Sequence, residues 1–363
     1  MEILAWIGFA QGLFVAIVMF LRSDKTMSNI VLALWLSLLA FEFLTCAFDF
    51  RFFGHSLLSS SFLLFNPALF IYIRSLVEKG FKLKWTMLLH LLPFVISEVI
   101  AYSTLIPFRF EQFFLADANL PFRIVFASAT IISWFVYIPL SIRLLHKYRK
   151  NLQNEKSNID AGQNLNWLMF VSIFYIIYCI VASILGIVFV SIGFGANVLS
   201  LYNYTILLIL IYIISFYGLF QKNIEMQTEL DDDKTVIGYK NSILSTEAKQ
   251  LIKEKILYYF DKEKAYLNPN LNMDLLSESI NFPKYQITEV LNVEIGKNFF
   301  QFVNSYRIEA VKKMLLEPKL KYSIEAIGYE CGFNSKSSFY TVFKNLTGET
   351  PVAFRKKALD TED

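Results

Sequence analysis

The chain has few of the residues from which catalytic and metal sites are usually built. Its 363 residues include three cysteines and three histidines, and these show neither CxxC nor Cys/His ligand spacing. The sequence also contains no HExxH motif, no phosphate-binding glycine loop and no Ser/His/Asp pattern. These absences predict a protein that is not an enzyme and holds no cofactor or metal. Cys46, Cys179 and Cys331 are expected to be buried, reduced thiols.

Charged residues are also scarce, and they are unevenly distributed. They form 18% of the chain, whereas hydrophobic residues form 55%. The first 220 residues contain 14 Lys/Arg and 10 Asp/Glu, and the last 143 contain 20 and 21. The composition therefore predicts a membrane-embedded part at residues 1–220, followed by a part with the composition of an ordinary soluble protein.

Seven apolar runs in the first part are long enough to cross a bilayer, which takes about 20 residues per helix. The runs are Ile3–Leu21, Asn29–Phe48, Leu57–Val77, Met87–Phe108, Phe122–Leu145, Leu165–Val190 and Ala196–Phe220. The first run follows acidic Glu2 and lacks a small-residue cleavage site, so we expect a retained span rather than a secretory signal. The fold expected for residues 1–220 is an all-α bundle of seven transmembrane helices.

The basic residues of the loops predict the orientation of this bundle, because cytoplasmic loops are enriched in Lys and Arg. The first, third and fifth loops carry Arg22, Lys25, Lys79, Lys82, Lys84, Lys147, Arg149, Lys150 and Lys156. The second and fourth loops have Arg51 and Arg109, with Arg123 at the far edge of the fourth, and the sixth has none. The pattern predicts a multi-pass protein of the inner membrane, with its N-terminus outside and residues from 221 onward in the cytoplasm.

Two acidic residues inside the predicted spans are candidates for a sensor site. Glu42 lies in the second span and Glu98 in the fourth, and ionisable residues at such depth are costly and frequently functional. The signal would be an unknown small molecule or a property of the membrane. The alternative is that both carboxylates bridge helices or lie near lipid headgroups.

Residues 322–357 predict two short helices joined by a tight turn. Ser323 can cap the first helix, Gly332 supplies the positive φ that ends it, and Phe333 would fill the angle between the helices. Ser335 can cap the second helix. The other residues that mark the turn and the end of the second helix are Asn334, Gly348 and Pro351. This arrangement is a helix-turn-helix, whose second helix enters the major groove of DNA.

A second motif of the same kind precedes this one. Asn272 can cap a helix, and Asn281-Phe282-Pro283 forms the turn. Pro283 suits the first position of the next helix, and Gly296 ends that helix. A long helix beginning near Phe299 and ending before Pro318 would join the two motifs.

The C-terminal stretch resembles the signature of AraC/XylS-type transcriptional regulators. The residues that carry the resemblance are Gly332, Phe333, Ser338, Phe339, Phe343, Lys344, Gly348, Thr350, Pro351, Phe354 and Arg355. Gly296-Lys297-Asn298-Phe299, Arg307 and Ala310 extend it upstream, so that it covers residues 268–357, a quarter of the chain. The segments FNPALFIYIRSL and LLHLLPF are also similar to the membrane half of some bacterial regulators that join a multi-span sensor to an AraC-type domain.

We therefore expect four regions in the chain. A seven-span sensor domain occupies residues 1–220, and a cytoplasmic linker with an amphipathic helix occupies 221–267. The AraC-type domain of two helix-turn-helix units follows at 268–357, and a tail at 358–363. The apolar side of the helix at 246–262 is a packing face or, alternatively, a dimer contact.

Two sets of side chains are expected to contact DNA, although each position could instead belong to a solvated polar face. The candidates for base readout are Lys284, Tyr285, Gln286, Ser335, Lys336, Ser337 and Tyr340. The candidates for phosphate contacts are Lys297, Asn298, Lys344, Arg355 and Lys356. Arg307 is expected to be a structural ion-pair residue rather than a base reader.

These patterns favour a membrane-bound, sequence-specific transcriptional regulator. Its expected partners are promoter double-stranded DNA, the lipid bilayer, a second copy in a homodimer, and RNA polymerase. In one alternative, the helix-turn-helix part contacts a protein or anionic lipid instead of DNA. In another, the spans form a transporter or enzyme that uses Glu42, Glu98 and His90.

Overall fold

The computed structural model describes residues 1–23, 26–55, 57, 61–105, 116–160, 162–192, 196–221, 244–317 and 322–360. Within these ranges every regular element is a helix, and the one β pairing is an isolated bridge between Lys156 and Asn272. The all-α prediction is confirmed. The chain divides into two units, which are Met1–His146 with Leu165–Glu229, and Lys147–Asn164 with Leu230–Asp363.

Seven α-helices begin in the described part of the first unit. They are α1 (Glu2–Leu21), α2 (Met27–Phe53), α3 (Ser61–Val77), α4 (Leu92–Thr104), α5 (Leu120–Glu155), α6 (Asn166–Ile192) and α7 (Ala196–Phe220). A 3-10 helix at Trp85–Leu91 leads into α4, and Pro93 lies in the first turn of α4, where proline is tolerated. The last residues of α5, from Lys147 onward, belong to the second unit.

Within the described residues, six helical stretches are long and apolar enough to cross a membrane. They are Glu2–Leu21, Met27–Phe53, Trp85–Thr104, Leu120–Glu155, Asn166–Leu185 and Val198–Phe220. The third predicted span is not among these six stretches. Its described helix α3 has only 17 residues and contains Pro67. The end of the fourth predicted span, residues 106–108, lies outside the described residues, as does Arg109 of the following loop.

The first unit is held together by close helix packing and has an apolar outer surface. Gly8 of α1 faces Phe43 of α2 so closely that an added Cβ would lie 2.3 Å from the phenyl ring. Small residues of this kind let two helices approach each other. Large apolar side chains such as Ile187 and Phe135, which are 64% and 75% exposed, point outward. Apolar surface of this extent suits contact with lipid better than contact with water.

Among its described residues, the second unit has seven further α-helices. They are α8 (Thr246–Asp261), α9 (Met273–Ile280), α10 (Lys284–Glu289), α11 (Phe299–Leu315), α12 (Ile324–Glu330), α13 (Lys336–Thr347) and α14 (Pro351–Asp360). A 3-10 turn at Ala265–Leu267 follows α8, and a π-helical turn at Val290–Ile295 continues α10.

Helix α11 joins two small hydrophobic cores. Its N-terminal half contributes Phe299, Phe302 and Val303 to a core shared with α8, α9 and α10. Its C-terminal half contributes Ile308, Val311 and Leu315 to a core shared with α12 and α13. Between these halves lie two buried polar residues, Asn304 and Arg307. The two helix-turn-helix units thus have separate cores on one shared helix.

The amphipathic helix predicted at 246–262 is α8, and its apolar side packs into the first of these cores. Ile252, Ile256 and Phe260 are all fully buried there. The interpretation of this side as a packing face is confirmed for these three residues. Much of the predicted linker, residues 222–243, lies outside the described residues, as do residues 361–363 of the predicted tail.

Candidate nucleic-acid interface

The first helix-turn-helix is built by one side-chain cap and two residues with positive φ. The Asn272 side chain accepts a hydrogen bond from Leu275 N at 2.9 Å and begins α9. Asn281 ends α9 with φ of 56°, and Gly296 ends the π turn with φ of 73°. These predictions are confirmed, except that Pro283 directly precedes α10 instead of being its first residue.

The first recognition helix presents three predicted base readers on its N-terminal turn. Tyr285 is 68% exposed, and Gln286 Nε2 donates to its hydroxyl at 3.2 Å. Lys284 Nζ lies 3.4 Å from Glu155 Oε2 and also pairs with the Asp274 carboxylate. Burial lowers the pKa of Lys284, but the hydrogen bonds and charges of Asp274 and Glu155 outweigh it and raise the pKa above the ordinary value. The lysine is therefore charged at neutral pH and is held between two acids.

Arg307, at the middle of α11, is fully buried and connects distant parts of the chain. Its Nε donates to Tyr266 O at 2.8 Å, and its Nη2 donates to Asn268 O at 3.0 Å. The guanidinium also lies 5.7 Å from the centroid of the Phe333 ring. Burial lowers the pKa of Arg307 to about 9, so the side chain remains protonated at neutral pH. The predicted structural role is confirmed, with backbone carbonyls rather than a carboxylate as these two partners.

The turn of the second helix-turn-helix also follows the sequence prediction. The Ser323 hydroxyl accepts a hydrogen bond from a backbone N–H at 3.1 Å and caps α12. Gly332 has φ of 90°, which disfavours any residue with a Cβ. Phe333 is buried, and its ring centroid lies 5.3 Å from that of Phe339 in α13. Phe333 therefore fills the angle between α12 and α13, as predicted.

The second recognition helix, α13, places its four predicted base readers around its N-terminus. Ser335 caps the helix by accepting a backbone hydrogen bond, and Ser337 Oγ lies 3.4 Å from the capping hydroxyl. Lys336 is exposed and pairs with the Glu325 carboxylate, whose hydrogen bond and charge raise the lysine pKa. Its Nζ also lies 5.7 Å from the centroid of the half-buried Tyr340 ring. The four side chains thus form two contacting pairs, Ser335 with Ser337 and Lys336 with Tyr340.

Three of the predicted phosphate ligands are lysines on the surface. Lys344 and Lys356 are exposed, on α13 and α14 respectively. Lys297 is also exposed, and its Nζ donates to Ser305 Oγ at 3.2 Å. Contacts of this kind at a solvated surface are weak and are readily exchanged for contacts with an anionic ligand.

The other two predicted phosphate ligands already have structural partners. Asn298 caps α11 through a reciprocal pair of hydrogen bonds with Gln301, and its Nδ2 donates to Gln153 Oε1 at 3.2 Å. Arg355 Nη1 donates to Tyr322 O at 3.3 Å. For all five residues, phosphate binding stays a prediction.

Comparison with known proteins agrees with this geometry. Residues 276–357 match a family profile described as a helix-turn-helix domain. This segment is an AraC-type helix-turn-helix domain. The matched range begins within α9 and ends within α14, so it contains both recognition helices and the helix that joins them.

Relatives of the chain are similar over about a quarter of its length. An uncharacterized HTH-type transcriptional regulator of Pseudoalteromonas carrageenovora is 32% identical over 26% of this chain and 54% of its own length. The uncharacterized transcriptional regulatory protein YesN of Bacillus subtilis is 34% identical over 25% of each chain. This chain thus matches about half the length, or less, of these curated relatives. A solved structure from Listeria innocua, of a protein of unknown function, is 26% identical over 29% of this chain and 95% of its own, with a TM-score of 0.26.

The structure also brings residues to the AraC-type domain that the sequence analysis did not assign to it. Glu155 contacts Lys284, and Asp160 Oδ1 accepts a hydrogen bond from Asn334 Nδ2 at 3.4 Å. Glu155 is the last residue of α5, and Asp160 lies in the connection to α6; both belong to a stretch that was predicted to be a basic loop. Neither periodicity nor motif spacing relates residues that are more than 100 positions apart.

The two predicted sensor acids lie on different helices of the first unit, Glu42 on α2 and Glu98 on α4. Glu42 is buried, and its Oε1 accepts a hydrogen bond from the Tyr204 hydroxyl at 3.3 Å. Glu98 is half-buried. Asp49, which no sequence pattern singled out, is also buried in this unit, and its Oδ1 accepts a hydrogen bond from the Tyr102 hydroxyl at 2.9 Å. The sensor role stays a prediction.

The three cysteines are buried and unpaired, as predicted. Burial raises the pKa of Cys331, in the turn of the second motif, to about 12, so the thiol stays protonated at neutral pH. In the described ranges, no group of three or more His, Cys, Asp or Glu residues is arranged to hold a metal ion.

Proposed function

We propose that the protein is a membrane-embedded transcriptional regulator whose AraC-type domain binds promoter DNA in a sequence-specific manner. The observation that carries the proposal is the matched range 276–357, with two recognition helices on one connecting helix. Two such helices on a rigid connector suit successive major grooves, which are about 34 Å apart on one side of the duplex.

The chemistry of the two recognition faces supports direct base readout. Gln286 has an amide suited to the two adjacent hydrogen-bonding groups of adenine, and Lys284 and Lys336 suit the acceptors of guanine. The acids that now pair with these lysines lie at a solvated surface, where ion pairs contribute little to stability. DNA can therefore replace them at low cost.

The composition of the first unit supports a location in the membrane. Six helical stretches of the described ranges have the length and apolar character of spans, and large apolar side chains cover their outer surface. In the orientation predicted from the loop charges, the AraC-type domain lies in the cytoplasm, where promoter DNA is found. A signal received by the bundle, with Glu42 and Glu98 as candidate sensor residues, would then alter promoter binding.

The test is DNA binding by the full-length protein in lipid nanodiscs. Genomic fragments are selected for binding, and the affinity for the preferred fragment is measured at several salt concentrations. Gln286→Ala and Lys336→Ala should each reduce the preference for that fragment by about tenfold, because a good base contact is worth about 1–3 kcal/mol.

Lys344→Ala is the matched control for a phosphate contact. It should weaken binding to all sequences alike and lower the slope of affinity against salt by about 1. The four predicted phosphate-binding cations together imply a slope of about −4 for the wild type. Binding that is insensitive to salt and shows no sequence preference would contradict the proposal and favour a domain that contacts a protein or lipid.

A further inference from the structure

The C-terminal end of α5 and the connection that follows it are folded onto the AraC-type domain. This docking segment, residues 147–164, belongs to the same compact unit as residues 230–363. Its two ends are tied together, since the Tyr148 hydroxyl donates to Gln163 O at 2.9 Å and Arg149 Nε donates to Asn164 O at 2.9 Å. The segment is therefore the end of α5 with a connection that folds back onto it, rather than an extended linker.

The centre of the docking segment is buried against the connecting helix. Ser157 is fully buried, and its carbonyl accepts hydrogen bonds from Asn304 Nδ2 at 2.9 Å and from Arg307 Nη1 at 3.2 Å. Its hydroxyl accepts a further hydrogen bond from Arg307 Nη2 at 3.1 Å and donates to Leu271 O. Asn304 and Arg307 are the polar residues that separate the two cores of α11, so the segment lies where the two helix-turn-helix units meet.

The next residue of the segment, Asn158, contacts the backbone at both helix-turn-helix units. Asn158 Nδ2 donates to Pro269 O, just before the first helix-turn-helix, at 2.7 Å. The same nitrogen donates to Gly332 O, in the turn of the second, at 2.9 Å. The single side chain of Asn158 therefore links the two helix-turn-helix units to each other.

The docking segment also occupies side chains that the proposed function assigns to DNA. Glu155 pairs with Lys284, the first base reader of α10, and Gln153 contacts Asn298, a predicted phosphate ligand. At the second helix-turn-helix, Asp160 accepts a hydrogen bond from Asn334, which lies next to the cap of α13. The segment thus places two carboxylates beside surfaces that would face DNA phosphates, where like charges repel.

We propose that the cleft between the two helix-turn-helix units is a docking surface for residues 147–164, and that the docked segment and promoter DNA compete for the AraC-type domain. The inference rests on the proposed function. Because the segment is covalently joined to α5 and α6, a change in either predicted span can promote or hinder docking. Release of the segment would free Lys284 and would let the two recognition helices adjust to the spacing of the grooves.

The test compares four full-length proteins in nanodiscs: wild type, Asn158→Ala, Glu155→Gln and Asn154→Ala. Asn154 is the matched control, because it lies in the same segment and its side chain makes no hydrogen bond to any residue that the structure describes. Docking is measured by amide hydrogen exchange of residues 156–160, and DNA binding by affinity for the selected fragment.

Asn158→Ala removes two hydrogen bonds, so docking should weaken by about tenfold and DNA affinity should rise by up to the same factor. Glu155→Gln should raise DNA affinity severalfold, and Asn154→Ala should change neither quantity. Saturating DNA should speed exchange at residues 156–160 in the wild type, because two competing equilibria are coupled reciprocally.

Three results would overturn the inference. One is rapid exchange of residues 156–160 in the free wild type, and another is weakened docking in Asn158→Ala with unchanged or lower DNA affinity. The third result applies if Asn158→Ala fails to fold, and it is an unchanged DNA affinity in Glu155→Gln. That variant is informative because it keeps the hydrogen bonds of Ser157 and Asn158. Absence of specific DNA binding in all four proteins would refute the proposed function itself, and the inference with it.

Discussion

Replacing Gly332 with alanine should destabilise the second unit far more than the same change at Gly348. Both glycines have positive φ, 90° and 83°, and both belong to the second helix-turn-helix. A Cβ at position 332 would lie 2.4 Å from Tyr266 O and 3.0 Å from Arg307 Nε, whereas no described atom lies within 4 Å of a Cβ at 348. The two substitutions therefore share the backbone penalty, and Gly332→Ala alone adds a steric clash.

The magnitudes follow from these two terms. Left-handed backbone costs an alanine about 1–2 kcal/mol, part of which is offset by the lower entropy of the unfolded chain. Crowding a packed site costs about 1–3 kcal/mol, and Tyr266 O cannot move away without disturbing its hydrogen bond from Arg307. We expect the opening free energy to fall by about 3 kcal/mol in Gly332→Ala and by about 1 kcal/mol in Gly348→Ala.

Amide hydrogen exchange of α11 in the full-length protein measures this opening free energy, because α11 contributes to both cores. The informative quantity is the difference between the two variants, since it cancels the shared backbone term. Equal losses of protection in Gly332→Ala and Gly348→Ala would refute the reasoning, because they would show that position 332 tolerates a Cβ.

Three further predictions concern the second unit. Arg307→Met should lower the opening free energy of the second unit by about 3–5 kcal/mol, because buried carbonyls lose their hydrogen-bond donor. Arg307→Lys should restore part of this loss. Hydrogen exchange at the wild-type rate in the methionine variant would contradict the prediction. The raised pKa of Lys284 means that its ion pairs stabilise the folded state below the ordinary lysine pKa of about 10.4 and lose this effect as the pH rises through the raised value. The stability difference between wild type and Lys284→Met should therefore stay constant between about pH 6 and about pH 9, and a decline in that range would contradict the assignment. Cys331 should react with a maleimide only as fast as the second unit opens, whereas a cysteine introduced by Ser337→Cys should react at once. Mass spectrometry measures both rates. Comparable rates would show that Cys331 is accessible.

The local structure of the helix-turn-helix units could be predicted because their signals are local. A hydroxyl or amide three residues before the amide that it caps, as at Asn272 and Ser323, acts through the backbone next to it. Glycine at a helix end, as at Gly332 and Gly348, is required by φ at that position alone. The alternation of buried and exposed positions in α13 likewise depends only on the helical period.

The docking segment could not be predicted, because its structure depends on distant residues. Ser157 and Asn158 lie in a polar stretch, and their burial comes from partners between 111 and 174 positions away. The same reason accounts for Arg307, where the sequence suggested a carboxylate and the structure supplies carbonyls. The third predicted span shows another limit, since hydropathy marks an apolar run but does not report where a helix such as α3 begins.

The π-helical turn after α10 affects the kind of DNA sequence that the AraC-type domain would prefer. Regular α-helix extends over six residues in the first reader, Lys284–Glu289, and over twelve in the second, Lys336–Thr347. Side chains beyond Glu289 leave the face set by the first turn, because hydrogen bonds in Val290–Ile295 span one residue more. One chain therefore carries a short reader and a long reader in fixed order. A DNA site for such a domain is therefore asymmetric. Inverting that site relative to a promoter would reverse the order in which the two recognition helices lie along the DNA.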